Sequence, residues 1–261
     1  MKKNVILSLI LAAILLVPFL STTASGYSDI IGPKEEGKTV IRWNVVEAPE
    51  TPVAWLNQSY AVLGNWSVEI GNEIAFEVME VGASNSYLEG IISIGNFDFV
   101  MTANNSLIAY NLVLAISNFV SPWKPGLVIP TGTANIEAEN ASAYTAAARV
   151  LGNYLNGTVE SKYERLTAGG VARDCISWDY VQDPSGFGEP QRTYLAYDLV
   201  SGVLVRANTS VNFGTPYNLV LELKSIEPPL VFDLSVLGLY VGGLGVVAIA
   251  AIVIIFFLRR K

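Results

Sequence analysis

The 261-residue chain has no histidine and one cysteine, Cys175. Lack of histidine excludes Ser-His and Cys-His nucleophile pairs, His-ligated zinc and haem, and the side chain that most often moves protons near neutrality. A single cysteine excludes any disulfide within the chain, so the core must hold without a covalent staple. The thiol reads as buried and inert, with a bridge to a second chain as the other reading. Basic residues are also scarce, with 11 Lys and Arg against 22 Asp and Glu between residues 26 and 229. A polyanion is held by basic faces, so nucleic acid is not an expected partner. The acidity fits a solvated surface. No stretch carries a catalytic, cofactor or metal-site signature, and the expectation is a protein that is not an enzyme and holds no cofactor.

Long apolar runs, in contrast, are present at both ends. Lys2 and Lys3 precede an apolar stretch from Val5 to Leu20 and then small residues around Thr23 to Gly26. That is the form of a secretory signal peptide over residues 1–25, too short for a membrane span of ~20 apolar residues. Residues 236–258 are 23 uncharged positions followed at once by Arg259, Arg260 and Lys261. At about 1.5 Å per residue this run crosses ~30 Å of hydrocarbon, and a cationic flank stays cytoplasmic. The reading is a single-pass cell-membrane protein with its N-terminus outside. Its parts are a tether over 26–38, an extracellular domain over 39–228, a linker over 229–235, the span, and a cytoplasmic tail of 259–261. So short a tail leaves function to the exterior domain.

Six N-x-[Ser/Thr] triplets mark Asn57, Asn65, Asn104, Asn140, Asn156 and Asn208 as glycan acceptors, where random placement gives roughly two. A glycosylated side chain must face water, which fixes the outer face of a strand that carries it. With Asn208 outward, alternation puts Leu204, Arg206 and Ser210 outside and Val203, Val205, Ala207, Val211 and Phe213 inside. With Asn65 outward, Ser67, Glu69, Glu73 and Glu77 follow it. Trp66, Val68, Ile70, Ile74, Phe76 and Val78 then face inward, unless Gly71-Asn72 turns the chain.

β signals dominate between the ends. Strands are expected over Val40–Val46, Trp66–Val81, Tyr87–Ile94, Leu107–Phe119, Val159–Leu166, Val171–Val181, Gln191–Leu199, Val203–Phe213 and Tyr217–Ile226. The last five, joined by short polar turns, describe an antiparallel meander. One helix is expected over Ala141–Leu155, with a stripe of Tyr144, Ala147, Ala148, Leu151, Tyr154 and Leu155 against the sheet. The fold class is therefore α+β, mostly antiparallel: a curved meander packed with one main helix, plus the C-terminal transmembrane helix. The loop "SPWKPGLVIPTGT" gives a sub-boundary near 121–136, although its apolar character favours one domain.

Carboxylates cluster in sequence at Asp174, Asp179 and Asp183, and at Glu69, Glu73, Glu77 and Glu80. A paired acid and base can cleave a glycoside without histidine, and Asp179 with Asp183 can make a weak calcium site. The plainer readings are a wet strand face and turn chemistry. Trp123, held between prolines, reads as a rigid anchor for a partner or as a cover on the core edge. Gly238 and Gly242 make a G-x-x-x-G strip that lets a second membrane helix approach.

The hairpin "TYLAYDLVSGVLVRANTSVNF" resembles the Asp-x-x-[Thr/Ser]-Gly hairpins of the lipoprotein-carrier class, through Asp198, Ser201 and Gly202. That resemblance implies a curved antiparallel sheet that grips a helix and binds a lipid. The layout as a whole resembles archaeal cell-surface proteins: signal peptide, glycosylated β-rich ectodomain and C-terminal anchor. The sequence thus points first to a non-enzymatic surface protein that binds another envelope or membrane protein, with self-association through its span. A membrane-proximal lipid or apolar-ligand carrier comes second, and a carboxylate-dependent envelope enzyme third.

Overall fold

A computed structural model describes residues 26–27, 31–32, 38–49, 53–56, 62–66, 68–82, 87–95, 97–105, 123, 125–151, 156–184, 188–212 and 216–227, with backbone alone for 53–56, 62–66 and 97–104. The expected signal segment, strand Leu107–Phe119, linker and membrane span with Gly238 and Gly242 lie outside the described residues, as do Asn57 and Phe213. Among those residues no helix is long and apolar enough to cross a membrane.

The described residues are mostly antiparallel sheet with one helix, the α+β class the patterning indicates. The elements run β1 Val40–Glu47, β2 Val53–Leu56, β3 Val62–Trp66, β4 Glu73–Val81, β5 Leu88–Ile94 and β6 Phe97–Asn104. Helix α1 Thr133–Ala147 follows, then β7 Gly157–Ala168, β8 Val171–Gln182, β9 Glu189–Asp198, β10 Leu204–Asn212 and β11 Pro216–Glu227. Nine strands form one sheet in the order β6-β5-β4-β1-β11-β10-β9-β8-β7, and β2 pairs with β3 apart from it. β7 to β11 form the expected meander. β1 lies between β11 and β4, antiparallel to both, so a single sheet unites the two halves of the chain.

One face of this sheet is the core. Trp178, Leu195, Ala207, Leu221 and Val45 stand in register on five successive strands, and all are buried. Ile92, Phe76, Ile41 and Ile226 form a second such row. Each fully buried side chain of this size contributes about 1.5–3 kcal/mol. The opposite face is wet and laced with ion pairs. Arg42 meets Glu73 at 2.6 Å and Glu227 at 3.4 Å, Lys224 meets Glu73 at 2.6 Å, and Arg206 meets Glu222 at 3.4 Å.

The sequence pattern needs correction in four places. Arg206, Asn208 and Ser210 do point outward and Val205, Ala207 and Val211 inward, but Leu204 is buried. The register shifts between Leu204 and Arg206, and that bulge carries Leu204 to the core side. The expected strand Trp66–Val81 is two elements, because the chain turns at Ile70 and Gly71, leaving Ile70 72% exposed. β6 runs over Phe97–Asn104, where no strand was expected. The helix starts about two turns earlier than Ala141 and stops at Ala147. Its buried residues are Ile136, Ala143, Ala146 and Ala147, while Tyr144 and Leu151 are exposed.

α1 lies across the core face at the β7–β8 edge. The Nε1–H of Trp178 donates to Oδ1 of Asn140 at 2.9 Å, and the Tyr144 and Ser161 hydroxyls meet at 3.4 Å. The segment before α1 is no linker. Leu127, Val128 and Ile129 are fully buried, and Val128 bridges Val203 while Thr131 bridges Gly26. The Ile129 amide donates to the Gly202 carbonyl, and the Leu204 amide to the Leu127 carbonyl, both at 2.9 Å. This strap ties the approach to α1 onto the β9–β10 hairpin.

Candidate functional site

Three polar or aromatic clusters emerge on this frame. The first is the β9–β10 turn that carries the resemblance residues. Asp198 ends β9 nearly buried, and its Oδ2 accepts from the Ser201 hydroxyl at 2.6 Å and the Ser201 amide at 3.3 Å. Its Oδ1 accepts the Val200 amide at 3.4 Å. An aspartate that binds the backbone two and three residues on closes a turn. Arg173 of β8 completes the cluster, its Nη1 at 3.0 Å from Oδ2, with side chains 10% and 3% exposed. Gly202 has φ 73°, and a Cβ there would lie 2.0 Å from the Ile129 carbonyl oxygen. The Asp198, Ser201 and Gly202 pattern therefore builds a hairpin and seats the strap.

The second cluster lies on the other face of β7, β8 and β9. Glu164 accepts hydrogen bonds from the Ser177 hydroxyl and, at 2.7 Å, from the Tyr194 hydroxyl, with Lys162 Nζ 3.2 Å away. Burial raises the Glu164 pKa, but the donors Ser177, Tyr194 and Lys162 outweigh it and hold the carboxyl below its usual range. Burial, together with the Glu164 charge, pushes the Tyr194 phenol far up. Cys175 sits beside them fully buried, its thiol pushed up to about 11 by burial and then by the Asp198 charge. A weakened base, a firmly protonated phenol and a protonated thiol make poor acid–base or nucleophilic groups at neutral pH.

The third cluster is aromatic. Trp123 is 4% exposed and meets Trp178 edge-on at 6.0 Å, and Trp178 meets Tyr197 edge-on at 5.7 Å. Tyr197 donates to the Gly126 carbonyl at 2.9 Å. Trp123 is thus a core residue and not an outward anchor, because the strap that carries it folds onto the sheet. Glu139, on α1 above this cluster, has its carboxyl pKa raised by burial.

The remaining carboxylates do not converge. Asp183 is gripped by Arg149 through two bonds of 2.7 and 2.8 Å, Asp174 lies 3.9 Å from Arg165, and Asp179 is exposed on β8. Both Asp183 oxygens are held by a guanidinium, which leaves the plainer turn reading of Asp183 standing over the alternative of a weak calcium pair with Asp179. Glu73 pairs with Lys224 and Arg42, Glu77 with Lys38 at 2.8 Å, Glu80 accepts from Tyr87 at 2.6 Å, and Glu69 is exposed. Among the described residues no group of three or more His, Cys, Asp or Glu could hold a metal.

The asparagines of the N-x-[Ser/Thr] triplets differ in setting. Asn208 is exposed on β10, between Tyr194 and Val220 of the flanking strands. Asn140 is half-buried, with its Oδ1 engaged by Trp178. Asn156 spans the Val150 backbone, accepting its amide at 3.0 Å and donating to its carbonyl at 3.3 Å. Asn65 lies in β3 opposite Ala54, and Asn104 ends β6 opposite Glu89.

No family model and no curated protein matches the chain. A solved structure from Bacteroides fragilis, described as an exported protein with a YmcC-like fold, is similar over 78% of this chain and 99% of that one, at 8% identity and a TM-score of 0.27. A likeness this low carries no argument for fold or function.

Proposed function

We propose that this chain is a membrane-anchored, N-glycosylated surface protein whose β-rich domain stands outside the cell and binds another envelope protein without catalysing a reaction. The observation that carries the reading is the uncharged run 236–258, closed by Arg259, Arg260 and Lys261 and starting nine residues after the last strand. Such a run reads as a span with its preceding domain outside. The apolar N-terminal stretch agrees with that orientation, and so does Asn208, an acceptor exposed on the outer face of the sheet. Gly238 and Gly242 give the span a surface for pairing with a partner helix or a second copy.

A second reading, a carrier of lipid or another apolar ligand, is favoured by the shape of the sheet. β7 reaches back to contact β10 and β11, so the sheet curls, and α1 lies on its core face. Against it, Trp123, Trp178 and Tyr197 are buried and pack edge-on against one another on that face. Crosslinking in native membranes, then affinity purification with mass spectrometry of lipids and proteins, separates the two. A partner chain recovered in stoichiometric amount supports the first reading, lipid alone supports the second, and neither refutes both.

A further inference from the structure

We propose that one end of the sheet rests on the lipid surface, with the β7–β8 and β9–β10 turns dipping Val171 and Val200 into the bilayer interface. This surface rests on the membrane-anchored reading above. β11 leaves the sheet at Glu227, and the nine steps from there to Val236 reach at most about 30 Å. Whichever end of the sheet holds Glu227 is therefore held close to the membrane.

Strand pairing says what else is at that end. Arg206 opposes Glu222, so the turn preceding β10 lies level with the last residues of β11. The β7–β8 turn arrives there by the curl of the sheet, since a Cβ on Gly169 would meet the Lys224 carbonyl oxygen at 2.3 Å. Glu77 opposes Val40, which opposes Glu227, so Met79, two residues further along β4, lies at this end too.

Turn tips normally carry small or polar residues. Here Val200 is 62% exposed and Val171 51%, with Met79 at 38%. Exposed apolar residues also occur elsewhere, Ile70 and Val46 at the opposite end of β1 among them. Only the Glu227 end combines such residues with the exit toward the span. At this end Lys38, Lys224 and Arg165 pair with Glu77, Glu73 and Asp174, while Glu80 and Glu89, opposite each other beside Met79, add negative charge. An end whose cations are engaged and whose surplus charge is negative does not draw anionic lipid, so it fits an uncharged or zwitterionic surface and predicts contact that persists at high salt.

The test is spin labelling of the full chain in phosphatidylcholine vesicles. Val171→Cys and Val200→Cys carry the label, and Ser210→Cys on the outer face is the control. Native Cys175 is fully buried and stays unmodified, and a Cys175→Ala background checks this. Carbonate extraction first establishes that the chain is embedded; release by carbonate refutes the anchored reading itself. In embedded chains, labels at 171 and 200 should collide with oxygen several-fold more, relative to a water-soluble nickel chelate, than the label at 210, at low and high salt alike. Ratios equal to that at 210 would overturn the proposal. So would protection from both reagents, which would place a second copy over the turns.

Discussion

Replacing Asp198 with Ala removes the anion of a buried pair and leaves the Arg173 guanidinium, 10% exposed, with its charge uncompensated. Breaking a buried pair from one side costs about 3–5 kcal/mol. For a domain of 150–250 residues each kcal/mol shifts the melting temperature by roughly 2–4 °C, so the expected drop is ~6–20 °C. Arg173→Met should cost less, because Asp198 keeps the Ser201 hydroxyl and amide and the Val200 amide as donors. The double variant should then be more stable than the sum of the single effects predicts, since the second change removes the orphaned charge. Thermal and urea unfolding of the detergent-solubilised chain, followed by circular dichroism, measures all three. A loss below ~1 kcal/mol for Asp198→Ala would refute the assignment of this pair as a structural lock. Strict additivity in the double variant would refute it too.

Other outcomes follow from the same geometry. Gly202→Ala combines strain from φ 73° with a Cβ 2.0 Å from the Ile129 carbonyl oxygen, whereas Gly170→Ala at φ 76° meets nothing within 4 Å. The Gly170 change should cost only about 1–2 kcal/mol of backbone strain, and the Gly202 change clearly more, as urea unfolding will show. Glu139, its carboxyl pKa raised by burial, favours folding below its unfolded pKa and loses that advantage as pH rises through the folded value. Glu139→Gln should therefore stabilise the protein at pH 7 and lose that benefit in acid, as paired melting curves will test. Peptide mass analysis of native protein should find glycan on Asn208, whose side chain is exposed. A bare Asn208 beside modified Asn140 and Asn156 would contradict the outer-face assignment.

Legibility varied with how locally each feature is determined. The C-terminal meander could be read from its apolar runs and the short polar turns between them, and Asn208 marked the wet face of β10 correctly. The reading failed at Leu204, where a bulge adds a residue that no periodicity announces. Placement of α1 failed because its opening turns, "TANIEAEN", carry little apolar signal. Tyr144 and Leu151, which gave the helical spacing, proved exposed. For Trp123 both readings, partner anchor or cover on the core edge, stayed open in the sequence because proline flanks say nothing about where a loop folds back, and the strap's bridges to Val203 and Gly26 span about 75 and 105 residues of sequence. The insertion of β1 between β11 and β4 is likewise a long-range pairing. In the Asp198 turn, the sequence signalled the hairpin, but the Arg173 partner comes from another strand.

The central claim, an exterior domain held by a C-terminal span, is tested most directly by adding protease to intact cells and probing a tag placed after Lys261. The account predicts loss of the full-length chain. A short tagged fragment containing residues 236–258 should remain in the carbonate-washed membrane. A chain left whole in intact cells and cut only after lysis would contradict it.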